Sequence, residues 1–281
     1  MNNKVMKTNI FVVCLILFGS LLHAQNERTE TLVQSEEKGW EYELKAGVNI
    51  GGASPTPLPE EIRKIKGYSP KFNGSFEGTA TKWLTPKWGI SAGLRLEEKG
   101  METDANVKNY GMEIIEQGNH VAGFWTGDVH TVYKSSFITL PIAVNYRLAN
   151  RWKIHLGIFA SYRMDGNFSG YVTEGYLREG SPIGEKVSFS NGQVASYDFS
   201  NHLRHWHWGT LIGGSWQAFK HFNINAELTY GTNNIFKKDF KTITFDMYPI
   251  YMQFTEYNLS FDGGVWRHCL CKVCKWIFGP L

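Results

Sequence analysis

Residues 139–148 read TLPIAVNYRL. Leu140, Ile142, Val144, Tyr146 and Leu148 are apolar, whereas Thr139, Pro141, Ala143, Asn145 and Arg147 are small or polar. Strand side chains point alternately to opposite faces, so a period of two describes a strand with one oily and one mainly polar side. After a short break the pattern restarts. Trp152, Ile154, Leu156, Ile158, Ala160, Tyr162 and Met164 face one way; Lys153, His155, Gly157, Phe159, Ser161, Arg163 and Asp165 face the other.

Working outward, the same reading finds six more such stretches. Trp40, Tyr42, Leu44, Ala46, Val48 and Ile50 oppose Glu41, Glu43, Lys45 and Asn49. Phe72, Phe76, Ala80 and Leu84 oppose Asn73, Ser75, Glu77 and Thr79, and Trp88, Ile90, Ala92, Leu94 and Leu96 oppose Ser91, Arg95, Glu97 and Lys99. Further along, Trp206, Trp208, Ile212 and Trp216 oppose His205, His207, Ser215 and Gln217. Phe222, Ile224, Ala226, Leu228 and Tyr230 oppose Asn223, Asn225, Glu227 and Thr229. The last stretch sets Tyr257, Leu259, Phe261 and Val265 against Asn258, Ser260 and Asp262, and Gly263 and Gly264 interrupt it.

Connection lengths decide how these eight strands are arranged. Short joins fall around Thr85-Pro86-Lys87, at Asn150 and at Lys220; the long ones cover 51–69, 102–133, 174–202 and 236–253. Strict alternation of short and long is the mark of an up-and-down membrane barrel with tight periplasmic turns and long outer loops. A soluble eight-stranded barrel would put its apolar residues inside. Here the strands exceed the roughly 9–11 residues that cross a bilayer, and Trp40, Trp88, Trp152 and Phe222 gather near one rim as an aromatic girdle would. The expected fold is therefore all-β: an eight-stranded antiparallel up-and-down transmembrane β-barrel over residues 39–266. The long connections are expected on the cell surface. Within the first of them, Pro59 to Lys66 (PEEIRKIK) has acids at its start and bases at its end, as a short helix prefers.

The ends of the chain read differently. Lys4 and Lys7 precede an apolar stretch from Ile10 to Leu22, followed by Ala24 and Gln25. Thirteen apolar residues are too few to span a bilayer, and the pattern is that of a secretory signal peptide over residues 1–24. Cys14, inside that stretch, lacks the context of a lipid-attachment cysteine. Residues 25–38 then form a periplasmic N-terminal segment. Cleavage after Ala24 removes two lysines, leaving 27 basic against 26 acidic residues and a charge of +1. The formal charge of +3 for the whole chain is already too small to argue for nucleic acid, no basic stripe appears in the barrel region, and no nucleic-acid partner is expected. Beyond Trp266 the chain continues as RHCLCKVCKWIFGPL, residues 267–281, a basic tail. Cys269, Cys271 and Cys274 with His268 suit a disulfide or, with half a site missing, zinc; no metal site is assigned.

The stretch SSFITLPIAVNYRLANRWKIHLGIFASY (residues 135–162) resembles the central hairpin of the PorT-like eight-stranded outer-membrane β-barrel family of Gram-negative bacteria. WGISAGLRLEEKGM (residues 88–101) is similar to that family's third strand, with its closing Lys99-Gly100. The resemblance implies a cell outer membrane location and, for the founding member, an association with protein secretion. It implies no catalytic residues.

No catalytic, cofactor-binding or metal-ligating residue is assigned, and no cofactor is expected. His205 and His207, two apart on one strand, both read as lumen-facing, and a catalytic pair would need a serine or carboxylate partner within reach. The functional expectation is a non-enzymatic barrel with a structural or surface-interaction role. The alternatives are an accessory barrel of a secretion system and a lipid-modifying outer-membrane hydrolase, the latter lacking a loop-borne Ser/His/acid motif. Expected partners are outer-membrane lipids and other envelope or secretion proteins; no small-molecule ligand can be named. The inward rows carry acids at Glu41, Glu43, Glu77, Glu97, Asp165, Glu227 and Asp262. They carry bases at Lys45, Arg95, Lys99, Arg147, Lys153 and Arg163, with His155, His205 and His207 besides. Near-neutral and crowded, they predict a closed lumen.

Overall fold

A computed structural model describes residues 39–116, 119–219 and 222–262. The segments read as signal peptide, N-terminal segment and cysteine-bearing tail lie outside the described residues.

Ten strands run in chain order: β1 (Trp40–Pro55), β2 (Ile62–Pro70), β3 (Asn73–Trp83), β4 (Trp88–Glu116), β5 (Asn119–Ala149), β6 (Trp152–Glu179), β7 (Lys186–Asp198), β8 (Trp206–Phe219), β9 (Phe222–Gly231) and β10 (Met247–Asp262). Eight of them close a ring. β1 pairs with β3, β3 with β4, β4 with β5, β5 with β6, β6 with β8, β8 with β9, β9 with β10, and β10 returns to β1, every pair antiparallel. The closing ladder is long, from Glu41 opposite Asp262 to Pro55 opposite Met247. The eight strands are those read from the alternation, and their oily rows face outward: Leu140 is 48% exposed and Thr139 1%.

Four expectations need correction. Residues 102–133 are not a loop, because β4 and β5 continue as one hairpin with Glu116 opposite Asn119. Most of 174–202 is likewise strand, the end of β6 and all of β7. The segment read as a short helix enters β2, which pairs with β4 over Met101–Val107, taking over where β3 stops. Finally, β10 begins at Met247, within the stretch expected to be a connection.

The first two corrections share one physical cause. In β4 the odd positions point inward as far as Val107: Arg95, Glu97 and Lys99 are buried, and so are Met101 and Val107, until a bulge between Val107 and Tyr110 brings Met112 and Ile114 inward instead. The even positions point outward, first Ile90, Leu94 and Leu96, then Glu98, Asp104 and Lys108. Across residues 88–107 the inward face does not change, but its polarity inverts near residues 98–101. Below that level the ring is oily outside and charged inside, as a bilayer demands. Above it the strands are apolar inside and polar outside, as in a water-soluble protein. There a core of Met112, Ile114, Trp125, Val172, Leu177, Phe189, Tyr197, Phe236 and their neighbours fills the extended end. Tyr197 is buried in it, which holds its phenol above the ordinary value, and shares a 2.6 Å hydrogen bond with Thr131. Outside, Lys66 pairs with Asp128 at 2.6 Å, and His130 lies 2.7 Å from Asp104, stacked on Tyr171.

Of the aromatic girdle expected at the turn end, Trp40, Trp88 and Trp152 face outward, joined by Trp216, on which Trp152 stacks with centroids 6.1 Å apart; the side chain of Phe222 lies outside the described residues. Trp206 and Tyr162 make a second cluster at the far edge of the oily band, 5.1 Å apart.

Candidate functional site

Within the oily band the interior is a layered network of ions. At the turn end Lys153 Nζ sits 2.6 Å from Glu41 Oε1 and 3.3 Å from Glu43 Oε1. Trp83 Nε1 donates to Glu41 Oε2 at 2.7 Å, and the Arg147 guanidinium lies 3.6 Å above the Trp83 ring. The middle layer centres on Arg95, which is 1% exposed. Its Nε donates to Glu77 at 2.5 Å and its Nη2 to Glu227 at 2.8 Å. Glu77 also accepts from Thr79, and Glu227 lies 3.0 Å from His155 Nε2. Gly213 makes room for that contact, since a Cβ there would come within 2.4 Å of His155 Nε2.

In the upper layer Lys99 Nζ meets Glu97 at 2.9 Å, and Thr139 donates to the same carboxylate at 2.6 Å. Lys99 also lies 5.3–5.6 Å from the ring centres of Phe159, Phe137 and Tyr251, where the polar lumen gives way to the apolar core. Burying charges costs more than most pairs return unless each one is paired and hydrogen-bonded. This network pairs its charges layer by layer, although Arg95 Nη1, 3.9 Å from Glu97, makes no hydrogen bond. It leaves a cavity of about 30 Å³, bounded by Glu43, Glu77, Ser91, Lys153 and Glu227 among others. That is room for a water molecule or two, not for solute passage.

The inward rows need two amendments. Asp165 is exposed, because the ladder between β5 and β6 slips by one residue at Phe137 and Arg163, so a bulge turns the following residues to the opposite face. His205 is also exposed, just before β8 begins at Trp206, and stacks on Tyr162 with centroids 5.8 Å apart. Only His207 of that pair is buried, its Nε2 3.1 Å from the carbonyl oxygen of Arg204. The two histidines are therefore not brought together. Arg163 faces inward as expected but holds backbone rather than carboxylates, donating to the carbonyls of Arg204 and Leu203 at 3.0 and 3.1 Å. The side chain of Asp262 lies outside the described residues. Among the described residues no group of three or more His, Cys, Asp or Glu side chains is placed to hold a metal.

A second cavity escaped the sequence reading entirely. Above the lumen, between β1, β2, β4, β5 and β10, lies a space of about 350 Å³ with mainly apolar walls. Its signal in the sequence is the inverted alternation of 101–108, where Met101, Ala105 and Val107 lie between Glu102, Asp104, Asn106 and Lys108.

A closed antiparallel ring, oily without and charged within over the depth of one bilayer, defines a membrane-spanning β-barrel. The chain belongs to the outer membrane protein beta-barrel domain family, which matches residues 23–237, and it resides in the outer membrane. The match stops short of β10, the strand that closes the ring. No curated protein sequence matches the chain. Among solved structures it is similar to Ail, the attachment invasion locus protein of Yersinia pestis, at 13% identity and a TM-score of 0.33, covering 79% of this chain and 99% of that one. It is similar also to OprG from Pseudomonas aeruginosa, at 12% identity and a TM-score of 0.32, over 81% of this chain and 98% of that one. Neisserial surface protein A gives 12% identity and a TM-score of 0.28, over 78% and 96%. Likenesses this distant do not bear on activity.

Proposed function

We propose that this protein is a non-enzymatic barrel with a structural or surface-interaction role, whose lumen is shut by its own side chains. The observation that carries this reading is the filled interior: paired charges from turn end to core, and space for little more than a water or two. Eight strands leave a lumen only about wide enough for side chains, whereas a diffusion pore needs some 16 strands around water. Purified protein in a planar bilayer is expected to show no steady conductance and to hold small sugars inside liposomes. Long-lived conductance steps of uniform size would overturn the closed lumen.

In this reading the short turns face the periplasm and the extended end projects outward, where its polar exterior meets outer-membrane lipid headgroups and other envelope proteins. An epitope tag in the turn at Ser181–Glu185, between β6 and β7, should bind antibody on intact cells. Labelling that appears only after the outer membrane is broken would reverse the orientation. The PorT-like affiliation carried by residues 88–101 and 135–162 belongs to the same proposal. It would place the barrel among envelope components, and co-purification of secretion subunits from crosslinked outer membranes would extend it to a secretion role.

A further inference from the structure

The 350 Å³ cavity is unlike the lumen beneath it. None of the side chains lining it is charged, and its walls include Ala53, Ile62, Met101, Val107, Val129 and Met247. Polar groups enter as hydroxyls, those of Tyr68, Thr103, Thr131 and Tyr110 among them. Packed interiors do not leave voids of this size, and the volume falls at the lower end of the roughly 300–1,000 Å³ of small-molecule sites.

The cavity also has a way in. β3 pairs with β1 only as far as Asn73 opposite Asn49, and β2 starts on β4 at Pro70 opposite Met101. Beyond Asn49, therefore, β1 keeps its ladder to β10 on one side and has no strand ladder on the other. Across the gap Tyr68 Oη donates to the carbonyl oxygen of Gly51 at 2.8 Å. Gly51 has a φ of +155°, and a Cβ there would lie 2.2 Å from the carbonyl oxygen of Ile250, so glycine is required at this edge. Around the gap Ile50, Leu58, Ile65 and Tyr68 are 44–56% exposed, an oily rim on an apolar chamber. The gap begins where β4 turns Glu98 and then Asp104 to the outside, at the edge of the oily band. Such a position is accessible, and it spares the hydrocarbon an unpaired strand edge.

We propose that this chamber binds a small apolar molecule, or the apolar end of a larger one, admitted through the gap between β1 and β2. The ligand class is a single hydrocarbon chain or an aromatic ring system, with at most a hydroxyl or carbonyl to meet the Tyr and Thr hydroxyls. Such a ligand can come from a lipid of the surrounding leaflet or from a free molecule in water. The proposal goes beyond the surface role and does not depend on it, because a sealed lumen and an occupied chamber are separate properties.

Photolabelling of the folded protein in lipid nanodiscs tests it. One arm uses an eight-carbon alkyl diazirine, the other a phosphatidylcholine with a diazirine in its acyl chain, and labelled residues are mapped by mass spectrometry. At least one probe is expected to label Met101 and Met247, inside the chamber, well above outward belt residues such as Leu140. Labelling by the phospholipid names an acyl chain as occupant, and labelling by the alkyl probe alone names a free molecule. Ala105→Phe, which fills the chamber, should cut that labelling at least tenfold while Leu140 labelling is unchanged. If Ala105→Phe loses the heat-dependent gel shift of a folded barrel, Ile65→Trp, which narrows the exposed rim, takes its place. The proposal fails if neither probe labels Met101 or Met247 above the belt, or if that labelling is unaltered in a folded variant.

Discussion

Arg95→Met is expected to destabilise the barrel by about 3–5 kcal/mol, the cost of removing one partner from a buried ion pair. Methionine refills most of the volume, so the loss is electrostatic rather than a void. Arg95 binds Glu77 and Glu227 at once, and without it these two carboxylates face each other across a lumen with room for only a water or two. Lys45 at 3.4 Å from Glu77, and His155 at 3.0 Å from Glu227, remain as weaker partners. Unfolding by urea in lipid, followed by tryptophan fluorescence, measures the change. Adding Glu77→Gln and Glu227→Gln to Arg95→Met should recover much of the loss, since an uncharged core needs no counter-ion. A single Arg95→Met barrel as stable as the wild type would mean that Lys45, His155 and water suffice to hold the two carboxylates.

Leu140→Arg is expected to cost about 2–4 kcal/mol, the range for a cation on the lipid face at mid-bilayer. Leu140 lies near the middle of the outward row of β5, between Ile138 and Ile142, and is 48% exposed among them. Its neighbour Thr139 is buried and donates to Glu97 at 2.6 Å. Thr139→Ser keeps that hydroxyl and should be nearly neutral. The contrast between adjacent residues tests the assignment of faces, and it is checked in bilayers rather than detergent, where an arginine can reach water. A Leu140→Arg protein of wild-type stability in lipid would place that face away from the hydrocarbon.

What was legible in the sequence follows from which solvent each surface meets. Where the strands cross the bilayer, the outer face must be oily and the inner face polar, so Leu140 against Thr139 and Leu96 against Glu97 could be assigned without a structure. In the extension the rule inverts within the same strand, and a reading that follows the oily face outward loses the strand where Leu96 gives way to Glu98. The start of β10 vanished for a related reason. Around MYPIYMQF the inward Met247 and Tyr251 and the outward Met252 and Phe254 are all apolar, so no alternation appears. Asp165 was misassigned because a one-residue bulge leaves no trace in composition yet reverses every face after it. The ion network was legible as a set of inward charges, but not as partners. Arg95 and Glu227 are 132 positions apart, and nothing local in the sequence relates them. The apolar chamber depends on a gap between β1 and β2, a property of pairing that no single strand displays.

The distance along the chain between such partners also orders events during assembly. Arg95 is made long before Glu227, and β1 long before β10, whose ladder to it is the last to become possible. Until that seam zips, the unfinished sheet is a trough with two raw edges and a bed of ions still needing water. Hydrocarbon cannot supply that water, so an incomplete sheet is poorly suited to rest in the membrane. Contacts of such long sequence separation also form slowly. Insertion and closure are thus one event, and a chain cut off before Met247 should leave nothing stable in the bilayer.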